Sequence, residues 1–338
     1  MNNNTKLRWG ILGAARINQQ LMPAIVAANN SELVAIASRR PNAAVETLAQ
    51  YAPQQQNVSI YDDPELLLKD DAIQAVYIPL ANKEHAEWVL RAIEQGKHVL
   101  CEKPMALTVK DIEAIEIAAE KHQVTVMEGF MYRFHPQHAR IKEIIASGII
   151  GEVRSVRSCF SYLMQAAREY RIDNTIENGS GAMWDIGCYA IHAARLPFND
   201  EKPVAISAMA KHIESGADIS CNGIIDFGDG KYAHFDFGFE HARRAEYEII
   251  GSKGGLKCHN VWAKQAENPV ISWWTEAGEQ EQEILALANH FQLEVEHFSH
   301  CVLNNKKVLL SLDDAKMNCK IINAALKSVK TEKHIRLI

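Results

Sequence analysis

The residues best equipped for chemistry fall in three places. Asp185 and Tyr189 stand four apart in Asp185-Ile-Gly-Cys-Tyr189, and His192 follows three further on. On an α-helix those separations line the side chains up in one row. A phenol can give a proton to a substrate oxygen, a carboxylate can orient a substrate hydroxyl, and an imidazole can extend the relay to water. The plainer alternative is a surface Asp, a core Tyr and a His packed under the helix. Lys103, in Glu102-Lys103-Pro104, is the second candidate. A lysine partly withdrawn from water loses basicity and can exchange a proton near neutrality, although a lysine before a proline equally suits an exposed turn. The third place is a pair of turns, Gly13-Ala14-Ala15-Arg16-Ile17 and Ser38-Arg39-Arg40, which together suit an anion.

Positioning such residues requires a frame, and the first 128 residues supply a recognisable one. Short apolar runs at 7–12, 33–37, 58–61, 75–80, 98–101 and 124–127 read as strands. Helical segments lie between them: Ile17, Leu21, Ala24, Ile25 and Ala28 share one face, residues 43–52 and 86–94 follow, and a further helix starts after Thr108. Strand–helix alternation at this spacing predicts right-handed crossovers and a doubly wound parallel sheet, class α/β. Such sheets bind ligands at the carboxyl ends of their strands. The Gly13 turn, Ser38–Arg40, Pro79, Leu80, Asn82, His85, Glu102 and Lys103 are all expected at that edge. His85 would serve equally as a satisfied structural histidine.

From residue 129 the pattern changes. Strands are expected at 153–163, 204–213, 219–227, 232–239, 246–250 and 256–259, with helices at 136–147, 183–196, 291–303 and 313–330. Phe227-Gly-Asp-Gly-Lys and Gly251-Ser-Lys-Gly-Gly255 read as hairpin turns. The second domain, 129–338, is therefore α+β with a largely antiparallel sheet.

The turn from first strand to first helix is the expected seat of a nucleotide, because a helix N-terminus offers free N–H groups and a positive dipole end. Against G-x-G-x-x-G it keeps one glycine, Gly13, with Ala15 and Asn18 in the other places. Folds that bind NAD usually carry an acid at the end of the second strand, for the ribose hydroxyls. This chain has Ser38-Arg39-Arg40-Pro41 instead. Two arginines and a hydroxyl would hold a 2′-phosphate, so NADP is expected ahead of NAD. A solvated turn is the alternative.

Composition excludes several classes. A net charge of −6 with signs interspersed argues against nucleic-acid or anionic-membrane binding. MNNNTKLRWG carries no signal-peptide stretch, and no run nears the roughly 18 apolar residues of a membrane span. Seven scattered cysteines, none in C-x-x-C, suggest reduced thiols in a cytoplasm. Glu294-x-x-His297 and His297-x-x-His300 imitate ligand spacing, but with no second such pair and no H-E-x-x-H a metal is not expected.

Five blocks in order along nearly the whole chain resemble the glucose–fructose oxidoreductase/inositol dehydrogenase (Gfo/Idh/MocA) family. They are Tyr77-Ile-Pro-Leu-Ala-Asn82-Lys-Glu-His85, Gly96-Lys-His-Val-Leu-Cys-Glu102-Lys103-Pro104, Met127-Glu-Gly-Phe-Met-Tyr-Arg133-Phe-His135-Pro136, Gly179-Ser-Gly-Ala-Met-Trp-Asp185-Ile-Gly187-Cys-Tyr189, and Glu294-Val-Glu-His-Phe298. The resemblance implies a dinucleotide-binding Rossmann domain over 1–128 and a substrate and dimerisation domain over 129–338 with a large open sheet. It also implies an active site in the cleft between them and self-association, as a homodimer or homotetramer, through that sheet. It implies catalytic Lys103, Asp185 and Tyr189, with Arg171 near cofactor or substrate and Arg168 a weaker candidate. Tyr189 stands where inositol dehydrogenases carry a catalytic His, which points to the dihydrodiol and xylose dehydrogenase branch. The expected activity is an NAD(P)-dependent dehydrogenase or reductase acting on the CH–OH or C=O group of a small carbohydrate-like molecule or diol. A glycosidase using bound NAD for transient oxidation, and a catalytically silent dinucleotide-binding regulator, are the competing readings.

Overall fold

The computed structural model describes residues 5–198, 201–262 and 268–337. The chain forms two compact units. One runs to Phe134 and adds Asn289–Lys316; the other holds His135–Ala288 and the residues from Met317 on. This division differs from a single cut after residue 128, because the chain returns to its first unit near the end.

The first unit is a six-stranded parallel sheet. In chain order its strands are β1 (Leu7–Leu12), β2 (Ser31–Ala37), β3 (Ser59–Tyr61), β4 (Ala75–Ile78), β5 (His98–Glu102) and β6 (Val126–Gly129), and in space they lie 3-2-1-4-5-6. Every residue of β4 and β6 is buried, as a strand covered on both faces should be. The crossovers are α1 (Asn18–Ala27), α2 (Ala43–Tyr51), the short α3 (Pro64–Leu68), α4 (His85–Glu94) and α5 (Val109–His122). Thr108 Oγ1 caps α5 by accepting from the Asp111 amide at 3.1 Å. The returning helix, here labelled α8 (His290–Leu303), packs on this sheet. There Trp9 stacks obliquely on Phe298 at 5.2 Å and donates to Ser299 Oγ at 3.1 Å, and Ser31 and Ser299 share a bond of 2.8 Å.

The second unit starts with α6 (Pro136–Ala146). Its sheet comprises β7 (Val153–Ser161), β8 (Ala205–His212), β9 (Asp218–Gly228), β10 (Lys231–Gly238), β11 (Arg244–Gly251), β12 (Gly254–His259), β13 (Val270–Thr275), β14 (Gln280–Ile284) and β15 (Ile335–Arg336), ordered 14-13-12-11-7-10-9-8-15. All pairs are antiparallel except β7 with β10. Both glycine-rich turns are hairpins, joining β9 to β10 and β11 to β12. The expected helix at 183–196 is a π turn, Met183–Gly187, running into α7 (Cys188–Arg195), which packs on β7 and β10. The helix expected at 313–330 is α9 (Leu312–Thr331).

Asp218, the first residue of β9, governs how this turn begins. It is 1% exposed, and its Oδ2 accepts from the Met183 amide at 2.8 Å. Gly181 has φ +105, and a Cβ there would lie 2.1 Å from Asp218 Oδ1. The glycine therefore makes room for a buried carboxylate. Burial pushes that carboxyl up to about 7, against the partial relief of the amide bond.

This generates a pH-dependent prediction. A folded-state pKa above the unfolded value means that stability is lost as pH rises from about 4 through about 7. Asp218→Asn keeps the shape and an acceptor for Met183 but does not titrate. Relative to the wild type it should gain stability across that window by at most about 4 kcal/mol, levelling above it. Paired thermal melts from pH 4 to 8 measure this; a constant offset would mean that Asp218 stays ionised throughout.

Candidate active site

The first unit gathers its candidate residues along the carboxyl edge of the parallel sheet. After β1 the chain turns at Gly13, whose φ is +135 and where a Cβ would come within 2.9 Å of Leu80 Cδ2. Pro79 is buried and Leu80 half-buried, so this stretch after β4 packs against the turn. The side chain of Asn18, in the third glycine's place, is fully buried, and its Nδ2 donates to Gly13 O at 2.8 Å. Asn18 thus staples the turn in the role a glycine's close approach would fill. No described residue accepts from the amides of Ala14, Ala15, Arg16 or Ile17, and α1 has neither a side-chain cap nor an acid in its first turn. Those unengaged N–H groups, the exposed Arg16 and the partnerless, buried Asn18 Oδ1 fit the pyrophosphate of a dinucleotide.

The arginine turn after β2 is engaged on both sides. Ser38 is buried, and its hydroxyl accepts from the Arg40 amide at 3.2 Å. Arg40 donates to Ala14 O, so the two turns expected to share an anion are in contact. Arg39 is ion-paired with Glu84 at 2.5 Å. That partner was not foreseen from the sequence.

Lys103 is half-buried and follows β5 directly. Its strand neighbour Glu102 accepts from Tyr77 Oη at 2.6 Å. The loop after it is held twice, by Glu128, which accepts from the Met105 amide at 2.6 Å, and by His85. His85 is fully buried, with Nδ1 at 2.7 Å from Pro104 O and Nε2 at 3.0 Å from Leu80 O. Burial pushes its pKa down, and the charge of Lys103 adds to this. Both ring nitrogens lie against backbone carbonyls, so His85 bridges the loops after β4 and β5, in keeping with the structural histidine that the sequence also allowed. Asn82 opens the 3₁₀ turn Asn82–Glu84 at the same edge.

In the second unit Asp185 and Tyr189 are 8% and 7% exposed. Asp185 Oδ1 pairs with Arg171, and Oδ2 accepts from Tyr162 Oη at 3.4 Å. Burial opposes the charge of Arg171, but the Asp185 carboxylate prevails and holds the guanidinium above its usual range. Arg171 is therefore paired with Asp185; the family resemblance implies a place near cofactor or substrate. Its carbonyl accepts from the Gly181 amide at 2.8 Å and from Ser180 Oγ at 2.7 Å, which locks it to the start of the π turn. Arg168 lies over the Tyr162 ring, 5.4 Å from its centroid. Tyr189 sits edge-on to Phe160 at 5.8 Å and to Trp262 at 6.1 Å.

Two expectations for this helix need correction. The π turn widens the spacing, so Asp185 and Tyr189 are not related by an ordinary α-helical i, i+4 step. His192 is 0% exposed, so a row ending there meets the core and not bulk water. Tyr162 and Asp218 were not anticipated, since they lie far from Asp185 in sequence with no spacing to betray them. The metal-like spacing on α8 serves other ends: His297 Nε2 accepts from the Leu309 amide at 2.9 Å, and Glu294 is buried with its carboxyl pushed well up, by burial first and then by Glu102.

Comparison with known proteins extends these observations. Residues 7–130 match an oxidoreductase family with an NAD-binding Rossmann fold, GFO/IDH/MocA, and residues 138–257 match the GFO/IDH/MocA C-terminal domain. A D-xylose 1-dehydrogenase (NADP(+)) from Haloferax volcanii is 32% identical over 98% of this chain and 100% of its own. A trans-1,2-dihydrobenzene-1,2-diol dehydrogenase from Xenopus laevis is 27% identical over 95% of this chain and 98% of its own. The crystal structure of a 3-ketoreductase from Actinomadura kijaniata, in complex with NADP and TDP-benzene, superimposes with a TM-score of 0.87 at 29% identity, covering 96% of this chain and 98% of that one. With the parallel sheet, the prepared turn at Gly13 and Lys103 at the strand edge, these matches establish that the chain is an NAD(P)-dependent oxidoreductase of the GFO/IDH/MocA family.

Proposed function

We propose that this enzyme prefers NADP and interconverts a hydroxyl and a carbonyl on a sugar, a sugar derivative or a cyclic diol. The observation that carries the reading is the contact between the arginine turn and the turn that leads into α1, in a chain that also keeps Lys103, Asp185 and Tyr189. The relatives reported are a D-xylose dehydrogenase, a dihydrobenzenediol dehydrogenase and a 3-ketoreductase crystallised with TDP-benzene, which supports a compact polyhydroxylated or cyclic substrate. Residues 13–17 would hold the pyrophosphate, and Ser38, Arg39 and Arg40 the 2′-phosphate. When bound, the nicotinamide exchanges a hydride with the substrate carbon. The chain then manages the proton. As a carbonyl is reduced its oxygen gains negative charge and takes a proton; this reading assigns acid–base roles to Tyr189 Oη and to Lys103 Nζ. Asp185, held by Arg171 and Tyr162, accepts from a neighbouring substrate hydroxyl.

Two further features belong to this reading. All seven cysteines are free, which suits a cytoplasmic enzyme. On the nine-stranded sheet Met209, Ile224 and Tyr232 are 70%, 43% and 42% exposed on one face, an apolar surface suited to a second copy of the chain.

Three outcomes follow. Lys103→Met keeps the stem and removes the proton, so kcat should fall by roughly two to four decades with cofactor affinity nearly unchanged; Tyr189→Phe should lower kcat in the same sense. Single-turnover rates across pH measure both, and near-wild-type turnover in folded Lys103→Met would remove Lys103 from the chemistry. Next, kcat/KM should favour NADP over NAD, and Arg39→Ala should erode that ratio by about one to two decades, the scale of a charge-assisted phosphate contact of roughly 1.5–3 kcal/mol. An NAD preference in the wild type would overturn this assignment. Finally, light scattering should give a dimer or tetramer for the wild type and a smaller species for Ile224→Glu; a monomeric wild type would exclude the sheet as an interface.

A further inference from the structure

The loops after β2 and β4 meet above the end of β1. Arg39, just past β2, sets its guanidinium 2.5 Å from the carboxylate of Glu84, which closes the 3₁₀ turn after β4. In the sheet β1 lies between β2 and β4, and all three are parallel, so their carboxyl ends share one edge. Neighbouring strands are about 4.8 Å apart, so the pair spans roughly 10 Å across the turn at residues 13–17. Arg40 lies along the same span, donating to Ala14 O.

The chemistry of that bridge is two-sided. An NAD-binding fold carries its ribose-binding acid at the end of the second strand, and this chain has none there. Glu84 brings a carboxylate to the guanidinium of Arg39 from the opposite side of β1. We infer that Glu84 is a specificity-determining residue that limits how strongly the enzyme favours NADP over NAD. The inference rests on Arg39 being the 2′-phosphate partner. An incoming 2′-phosphate must take the guanidinium from Glu84, and the displaced carboxylate is left beside a like charge. NAD has no such phosphate: the ion pair stays closed, and its carboxylate can accept from a ribose hydroxyl. Glu84 therefore penalises one cofactor and spares the other.

Exposure sets the size of the effect. The Arg39 and Glu84 side chains are 56% and 23% exposed, so water and salt screen both the pair and the repulsion. Exposed pairs of this kind contribute a factor of a few in an equilibrium, not decades.

The test measures binding directly. Dissociation constants for NADP and NAD are obtained by tryptophan-fluorescence titration of the full chain at about 50 mM salt. The proteins are the wild type, Glu84→Gln, Arg39→Ala and the double variant, each checked by thermal melting. Glu84→Gln should tighten NADP about 3- to 10-fold and change NAD less than about 2-fold, with the gain shrinking at higher salt. In the Arg39→Ala background the gain should be smaller, since no guanidinium remains to be contested. An NADP:NAD affinity ratio (Kd for NAD over Kd for NADP) in Glu84→Gln equal to or below that of the wild type overturns the role of Glu84. If Arg39→Ala lowers the ratio while Glu84→Gln leaves it unmoved, the inference alone falls. If Arg39→Ala also leaves it unmoved, the assignment of Arg39 falls with it.

Discussion

Parallel strands all end at one edge, and the first unit depends on that constraint. Parallel pairing needs a helix between successive strands, which buries both sheet faces and leaves only the edges for polar business. The turns after β1, β2, β4 and β5 are then neighbours whatever their distance in sequence. Residues as separate as Ala14, Arg40, Glu84 and Lys103 thereby join one surface. The same crowding explains why Gly13 has no side chain and why Leu80 lies against it. It also explains the double fastening of the loop after β5, where His85 and Glu128 hold the backbone on either side of Pro104–Met105.

The second unit solves a different problem, that of holding ionised groups away from water. Asp185 is nearly buried, and Arg171 and Tyr162 both address its carboxyl group. Such a pair costs desolvation and needs excellent geometry to offset it. The geometry comes from backbone: the Arg171 carbonyl is fixed by Gly181 and Ser180, at the start of the turn that carries Asp185. Asp218 closes the assembly from the sheet side. A π turn at this point is a local expense in regularity, of the kind that recurs at functional sites.

Much of this was legible in the sequence, for identifiable reasons. β4 and β5 announce themselves because strands buried on both faces become apolar runs, and the two hairpins because their glycines cluster. β13 and β14 were not foreseen. Val270–Thr275 mixes two tryptophans with polar residues, and Gln280–Ile284 is a charged strand at the sheet's end with no apolar alternation. Residue types singled out Lys103, Asp185, Tyr189 and the arginine turn as groups worth weighing. Partnerships did not show. The pairing of Arg39 with Glu84 and of Arg171 with Asp185, and the turning of His85 towards two carbonyls, depend on contacts between distant segments. No periodicity encodes these.

The return of α8 to the first sheet bears on how the protein is made. Trp9 and Ser31, near the start of the chain, find Phe298 and Ser299 only after nearly nine-tenths of it has been synthesised. During translation an amino-terminal domain ordinarily folds first. The strands of the first unit therefore emerge before the helix that covers Trp9, with β7 to β14 of the second unit emerging between them. Each unit is thus closed by a late segment, the first by α8 and the second by α9 and β15.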